Sequence, residues 1–492
     1  MKKHLYKNII YLTLGTLFFF LGNGNVSFAF ATWIFSFFLL QVSRTNNKLF
    51  SYLVIPILFG ISSHFSFLKF IPSAPTSIFY YVPMLFGALY GFVFLVDRIF
   101  WNKINGFKAT LVFPLAYTSL DFLSNLFNPF GTTGALGYSQ IEFLSFSQLA
   151  SITGMWGMTF MITWFGSVVS WCLLHKKNRK KGLIVYASIL TIILVFGNFR
   201  LTTSLEKGTV QISSMHTHDK NIGGYEMWKS RSKNDTIAFR KISKRIIQDL
   251  INKTSVEADA GSKIIVWSEI SAEILKSDEN ELIEMLKSLS REKNIYIMTN
   301  LLTIVPKGQK PENKILMFTP TGDIVIEHFK FGGNFLEGSV EGDKTIKTIE
   351  TKYGKVAGII CWDADFPSIV KQIGKSKTDI LLIPASDWKE IDPLHTIVAV
   401  YRGIENGCSV VRQTRNGLSI MTDSRGKTIS QLDHFSTENW VMMGQVPNKR
   451  IWTLYPLIGD LFGWLSIIGL GVMLFFGIRR KRLRKTTATN NV

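Results

Sequence analysis

The stretch Ile359-Ile360-Cys361-Trp362-Asp363-Ala364-Asp365-Phe366-Pro367 decides how the second half of this chain is read. The apolar run Val356-Ala357-Gly358-Ile359-Ile360 leads into it and carries the pattern of a buried strand. That strand runs out at Cys361, and two aspartates and a proline close the segment as an acidic turn. A side chain at such a strand end stands at the top of a sheet. A lone strand cysteine is more often core than nucleophile, so its surroundings must decide. Of the 3 cysteines, Cys172 falls in a long apolar segment and Cys408 in the apolar run Cys408-Ser409-Val410-Val411, where a thiol packs as a small hydrophobe. Three cysteines also exclude a disulfide-stapled secreted fold.

Further short β-branched runs surround this one: 208–213, 263–267, 295–299, 355–360, 379–384 and 408–412. Between them, 237–251 and 280–293 have helical spacing. Residues 313–318 and 323–328 flank Thr319-Pro320-Thr321-Gly322, a hairpin turn. Residues 205–450 therefore read as one layered α/β domain. Two other strand ends carry charge. Glu269 follows Ile264-Ile265-Val266-Trp267-Ser268, and Lys330 follows the hairpin. A cysteine nucleophile needs a base to take its proton and a cation or N–H group to hold an oxyanion. Glu269, Lys330 and Cys361 supply that set. Singly, the glutamate and lysine read as solvated charges; only the combination raises them. His328 and His395 carry no local mark of a base.

The flanks are of another kind. The chain has 492 residues, 47% of them hydrophobic, with 39 phenylalanines and a net charge of +20. Its mean hydropathy of +0.20 is high for a soluble protein of this size. Such a charge suggests nucleic acid until its distribution is counted. Residues 205–450 hold 34 Lys/Arg against 31 Asp/Glu, and the excess sits in clusters beside apolar runs. This excludes a basic nucleic-acid face. Apolar stretches at 8–22, 26–42, 50–68, 77–97, 108–127, 154–174, 182–199 and 456–478 predict seven spans before the polar region and one after it. The first lacks a cleavage site before the next apolar run and is read as an uncleaved span. Segments 1–7, 43–49, 98–108, 175–181 and 479–485 carry 3, 2, 3, 5 and 6 Lys/Arg, whereas 23–25, 69–76 and 128–153 hold only Lys69. The positive-inside rule then predicts cytoplasmic termini and an extracytoplasmic 205–450. The expected division is 1–204 with seven helices, 205–450, and 451–492 with the last helix and a basic tail.

The order Glu269, Lys330, Cys361 on an α/β domain resembles the nitrilase, or carbon–nitrogen hydrolase, superfamily. The whole chain resembles one membrane-embedded branch of it, the apolipoprotein N-acyltransferases. Val266-Trp267-Ser268-Glu269 is similar to that family's glutamate motif, and Ile359–Pro367 to its cysteine motif, in which an aromatic and an acid follow the nucleophile. Arg402-Gly403-Ile404-Glu405 and Arg412-Gln413-Thr414-Arg415-Asn416-Gly417 resemble its late segments. Gly134-Ala135-Leu136-Gly137-Tyr138-Ser139-Gln140 and Gln148-Leu149-Ala150-Ser151-Ile152-Thr153-Gly154 resemble the stretch before its sixth span, which a soluble nitrilase lacks.

The resemblance implies an αββα sandwich beside about eight transmembrane helices, in a bacterial inner membrane. It implies transfer of an acyl chain from a phospholipid donor, through a Cys361 thioester, to the amine of a diacylated apolipoprotein. Glu269 would be the base and Lys330, with a backbone N–H beside Cys361, the oxyanion holder. No cofactor or metal and no nucleic-acid partner is expected. Two positions depart from the family: Glu269 lacks a following proline, and Lys330 continues as Phe331-Gly332-Gly333-Asn334-Phe335-Leu336-Glu337, with Glu337 one residue out of register for a second active-site glutamate. Trp362 and Asp363 are candidates beside the nucleophile. Phe331, Phe335, Leu336, Trp388 and Trp452 are candidates for a lid, an acyl path or interfacial anchors, and Asp121 and Glu142 for contacts to the domain or a head group. The alternatives are a membrane-anchored amidase that uses water and a non-catalytic scaffold that keeps the fold.

Overall fold

The computed structural model describes residues 2–23, 28–46, 49–69, 71, 78–177, 179–203, 208–217, 225–305 and 308–489. The chain divides into two compact units, Met1–Asn128 with Gly134–Thr202 and Ile458–Val492, and Pro129–Thr133 with Thr203–Leu457. The loops expected outside at 23–25 and 69–76, and the boundary at 204–205, lie largely outside the described residues.

In the first unit each expected apolar stretch is helical: Lys2–Leu21, Ala29–Thr45, Ile55–Leu68 (entered through the π-turn Phe50–Val54), Ile78–Phe100, Val112–Phe127, Met155–Leu174, Arg179–Thr202 and Leu461–Thr489. Five of these reach membrane-crossing length and hydropathy: Phe50–Leu68, Tyr81–Phe100, Met155–Leu174, Arg179–Thr202 and Leu461–Arg479. Leu5–Leu21 is apolar but shorter, and Ala29–Thr45 and Val112–Phe127 have 17 and 16 residues. Met155–Leu174 is the central element, 72% buried against Ala29–Thr45 and Val112–Phe127. Arg179–Thr202 is only 17% buried, so it presents apolar surface outward along its length. A soluble monomer rarely exposes such a stripe.

Charge inside this unit is paired. Arg44 sends Nε and Nη2 to the two Asp97 carboxylate oxygens at 2.8 and 2.9 Å, and further N–H groups to Ser167 O and Oγ. Its guanidinium lies 3.5 Å from the Trp101 ring centroid. Asp121 is buried inside Val112–Phe127 and accepts hydrogen bonds from the Tyr90 and Thr159 hydroxyls, whereas Glu142 is exposed.

The second unit is built on two sheets. The first holds β1 (Thr209–Met215), β2 (Ile264–Trp267), β3 (Ala272–Leu275), β4 (Tyr296–Ile304), β5 (Glu312–Phe318) and β6 (Ile324–Phe329). The second holds β7 (Thr348–Thr351), β8 (Gly354–Gly358), β9 (Ile380–Ser386), β10 (Ser409–Arg415), β11 (Leu418–Thr422) and β12 (Thr428–Asp433). The last strand, β13 (Val441–Pro447), returns to the first sheet beside β1. Each sheet has a parallel centre, β1-β2-β4 in one and β8-β9-β10 in the other, and antiparallel flanks.

Period-2 alternation sorts each strand into two cores. In β2, Ile264 and Val266 face the other sheet and pack with Met298, Ile380, Leu382 and Val411. Ile265 and Trp267 point the other way, onto the helices Thr236–Asp259 and Glu279–Lys293 through Ile246, Leu250, Leu282 and Leu286. The outer face of the second sheet is covered by Leu394–Asn406 through Ala399. The result is a four-layer αββα sandwich. Strands β3, β7, β11, β12 and β13 and the helix Leu394–Asn406 add to the elements read from the sequence.

Candidate active site

Three strand ends converge at one edge of the sandwich. Glu269 leaves β2, and its N–H bonds Ala385 O of β9 at 3.1 Å, tying the two sheets together. Lys330 leaves β6, with its N–H on Asn313 O of β5 at 3.0 Å. Cys361 leaves β8. The fold brings together the three residues singled out in the sequence, and all are buried, at 1%, 1% and 4% exposure.

Cys361 opens the single-turn helix Cys361–Asp365 and has φ +44°. A non-glycine residue in this left-handed region is strained, and surrounding contacts must hold it. Those contacts come from Asp363. Its carboxylate accepts hydrogen bonds from the backbone N–H of Ile360, Phe331 and Gly332 at 2.9, 2.9 and 2.7 Å, and from His328 Nε2 at 2.9 Å. One buried side chain thus fastens the cysteine turn to the segment after Lys330. The two glycines there are required by close approach: a Cβ at Gly332 would meet the Trp362 carbonyl carbon at 2.6 Å, and one at Gly333 (φ +78°) the Trp362 ring at 2.6 Å. The departure Phe331-Gly332-Gly333 from the family's usual lysine motif therefore has a steric partner in Trp362.

The charges are asymmetric. Glu269 Oε1 accepts from Lys330 Nζ and Asn313 Nδ2, both at 2.8 Å, while Oε2 is buried with no hydrogen-bond partner among the described residues. Lys330 Nζ also meets Glu337 Oε1 at 2.5 Å, so the register shift does not keep Glu337 from the site. Burial works to lower the Lys330 pKa, but Glu269, Cys361 and Glu337 outweigh it and hold the ammonium well above its ordinary value. Burial pushes the Cys361 thiol well up, Glu269 and Asp387 add to this, and Lys330 and Arg412 oppose it. The resting group is a thiol. Its Sγ faces Ser386 O at 3.8 Å.

Behind Cys361, Arg412 forks Asp387 with two 2.8 Å bonds. Burial would raise the Asp387 pKa, but Arg412 and His395 hold this carboxylate far below its usual range. Cys361, Asp387 and His395 are the one group among the described residues whose ligand atoms converge, within 4.8 Å. Arg412 already occupies both oxygens of that carboxylate, which argues against a resident metal there.

The aromatic candidates separate. Phe331 is buried against His328 and Phe366. Phe335 and Leu336 are 55% and 51% exposed on the short turn Asn334–Glu337. Trp362 is buried, Trp388 lines a cavity beside Glu269, and Trp452 is exposed. Sequence reasoning missed Asn313, the clamp role of Asp363 with His328, and the pentapeptide Pro129–Thr133. In that pentapeptide Phe130 O accepts from Trp362 Nε1 at 3.1 Å, its ring packs on Phe335 and Trp362, and Thr132 N donates to Asp365 O at 2.9 Å. The signal lay in Gly131, at φ +71°, where a Cβ would collide with Asp365 O.

Glu269, Lys330 and Cys361 lie within residues 245–452, which match the signature of the carbon–nitrogen hydrolase family. A second signature, that of the apolipoprotein N-acyltransferase N-terminal domain, matches residues 15–168. The chain belongs to the apolipoprotein N-acyltransferase family. The enzyme of that name from Geobacter metallireducens is 22% identical over 428 residues, 79% of this chain and 78% of the relative. Apolipoprotein N-acyltransferase 1 of Treponema denticola is 22% identical and spans 97% of this chain and 98% of its own length. Among solved structures, an amidase from Nesterenkonia sp. matches 50% of this chain and 94% of its own, with 13% identity and a TM-score of 0.40.

Proposed function

We propose that this protein moves a fatty acyl group from a membrane phospholipid to the N-terminal amine of a diacylglyceryl-modified lipoprotein cysteine, in two steps through a thioester on Cys361. The observation that carries the reading is the pairing, in one chain, of the acyltransferase N-terminal signature with buried Glu269, Lys330 and Cys361 at adjoining strand ends. In the first step Glu269 takes the thiol proton as sulfur attacks the ester carbonyl. The resting thiol is protonated, so the base is required. Lys330, kept as an ammonium, faces the negative charge that develops on the carbonyl oxygen. Collapse breaks the ester C–O bond, and the proton on Glu269 leaves with the lysophospholipid. In the second step the neutral amine attacks the thioester and Glu269 takes its proton. The C–S bond breaks and the thiol is reprotonated. No metal or redox partner enters this balance.

The proposed setting is the bacterial cytoplasmic membrane, crossed eight times, with both termini cytoplasmic and the α/β unit outside. The 19 Lys/Arg in the inside segments against the single Lys69 outside support it. The proposed parts are 1–204, 205–450 and 451–492. Holding the site at a bilayer avoids extracting long chains, which costs about 0.8 kcal/mol per CH₂. Hydrolysis by a membrane-anchored amidase uses the same three residues, but the N-terminal signature favours acyl transfer. The test is mass spectrometry of purified protein given phospholipid and a diacylated lipopeptide. A Cys361 acyl thioester and N-acylated peptide are expected, and both should vanish in Cys361→Ala. A thioester that yields only free fatty acid would sink the transferase in favour of the amidase.

A further inference from the structure

Strands β9 and β10 end side by side. In their parallel register Ser386, the last residue of β9, pairs with Arg415, the last residue of β10. Ser386 works in two directions. Its carbonyl oxygen faces Cys361 Sγ at 3.8 Å, and its hydroxyl accepts from Arg415 Nε at 2.7 Å. A single residue therefore separates the nucleophile from a guanidinium. We infer that Arg415 binds the phosphate diester of the acyl donor while Cys361 attacks its ester, and the inference rests on the acyl-transfer reading above.

Other cations at these strand ends are already engaged. Lys330 is held by Glu269 and Glu337, Arg412 by Asp387, and Arg231 by Glu273. Arg415 makes no ion pair among the described residues, and the bond to Ser386 is the one hydrogen bond of its side chain there. The residue is half-buried, and its two Nη groups are left open. Burial works against the charge of this guanidinium, whereas Glu273 and Glu269 favour it from a distance. An arginine does not shed its proton to escape such a place. A partly desolvated cation without a partner calls for an anion.

The donors left over select which anion. With Nε spent on Ser386, the end of the guanidinium still presents parallel N–H groups, the geometry that takes two oxygens of one phosphate. A glycerophospholipid brings that pair, because the two non-bridging oxygens of its diester share one negative charge. About six bonds, a reach of roughly 7 Å, join that phosphorus to an ester carbonyl carbon. This is of the same order as one residue with a contact on either side. The acyl chain and the acceptor amine carry no such anion. A held phosphate sets the ester against the thiol before any bond changes, so the effect falls on donor binding.

The first half-reaction isolates this contact. Full-length protein in detergent micelles is given a dipalmitoyl glycerophospholipid or p-nitrophenyl palmitate, a neutral ester without phosphate, and formation of the Cys361 thioester is timed. In Arg415→Gln the KM for the phospholipid should rise about ten- to a hundredfold. The kinetics of the nitrophenyl ester, and the KM for a diacylated lipopeptide in the second step, should stay within about twofold. Arg415→Lys, which keeps the charge and loses the fork, should recover part of the loss. Glycerophosphocholine, the diester without chains, should raise the apparent KM for phospholipid in the wild type and not in Arg415→Gln. Equal losses with both esters would make Arg415 only a brace for Ser386, an unmoved phospholipid KM would leave it no ligand, and a shifted lipopeptide KM would give it to the acceptor. Each overturns the assignment. So does stronger competition by inorganic phosphate than by glycerophosphocholine, which would mark a site for free phosphate. If the nitrophenyl ester fails to acylate the wild type, Arg415→Lys decides, and a lysine variant no better than the glutamine one overturns the assignment. No thioester from either ester in the wild type has a different signature: it overturns the acyl-transfer reading itself and the phosphate contact with it.

Discussion

In the helical unit Arg44 grips Asp97 through two N–H···O bonds, directs further N–H groups to Ser167, and lies over the Trp101 ring. In the α/β unit Lys330 meets Glu269 through one oxygen, shares its charge with Glu337, and leaves Glu269 Oε2 bare. Both pairs are buried and both are short. The first is closed: every strong group has a partner, so nothing is left to act on a substrate. The second is open, and an unsatisfied buried carboxylate oxygen is a cost that a fold tolerates where chemistry needs it. The Arg412–Asp387 pair, forked like Arg44–Asp97, sits behind Cys361 with both carboxylate oxygens engaged, although Arg412 Nε is buried without a hydrogen-bond partner among the described residues. What sets the Lys330–Glu269 pair apart is that its bare atom is a carboxylate oxygen, able to take a proton.

The difference can be broken from either side. Glu269→Gln keeps the shape of the open pair and removes the base; steady-state turnover should fall roughly 10²–10⁴-fold, with both half-reactions slowed and melting little changed. A variant that keeps its rate would mean that Glu269 is only the counter-ion of Lys330.

Arg44→Met strands Asp97 in the helical unit and should cost about 3–5 kcal/mol of stability, read by thermal unfolding in detergent. The double change Arg44→Met with Asp97→Leu should recover much of that loss. Turnover per folded molecule should stay near wild type in both, because a closed pair has no part in the reaction. Loss of turnover without loss of stability would contradict the comparison.

The smallest effect sharpens it at the thiols. Cys361 has its pKa raised, chiefly by burial, yet it adjoins the open pair; Cys408 is fully buried and its thiol is pushed up to about 12. A raised thiol pKa means that thiolate gains only as pH climbs through the alkaline range. Iodoacetamide labelling of Cys361 without substrate should therefore be slow at pH 7 and still be climbing with pH at pH 10, with Cys408 unlabelled throughout. Fast labelling at pH 7 would mean a standing thiolate and remove the need for Glu269 as first-step base.

Much of this site is legible in sequence because strands end abruptly. Glu269 and Cys361 each follow a short apolar run that is buried, Lys330 follows a strand whose burial alternates, and a charged or polar residue at such an end has one place to go. The hairpin around Thr319–Gly322 lies where its turn residues put it, with β5 and β6 paired antiparallel. What sequence hides is anything set by contact across the sandwich. Asn313 reads as a strand residue but bonds Glu269, 44 positions away. Asp363 reads as part of an acidic turn, yet its oxygens are used up by neighbours from two other segments. Phe331 looks like Phe335 in the sequence; burial alone tells them apart. Asp121, legible only as a polar residue in an apolar run, is an interior hydrogen-bond acceptor.

The pentapeptide Pro129–Thr133 bears on how this chain can be cut. It lies between two helices of the first unit in sequence, but it folds with the second, against Trp362 and Asp365. A fragment begun at residue 203 would carry every strand and all three strand-end residues. It would still lack the group that receives the Trp362 indole N–H and the N–H that reaches Asp365 O. The α/β unit is therefore not a removable cassette. A soluble excision would have to graft those five residues back, and a gene fusion that swaps one unit for a relative's would have to treat them as cargo of the other half.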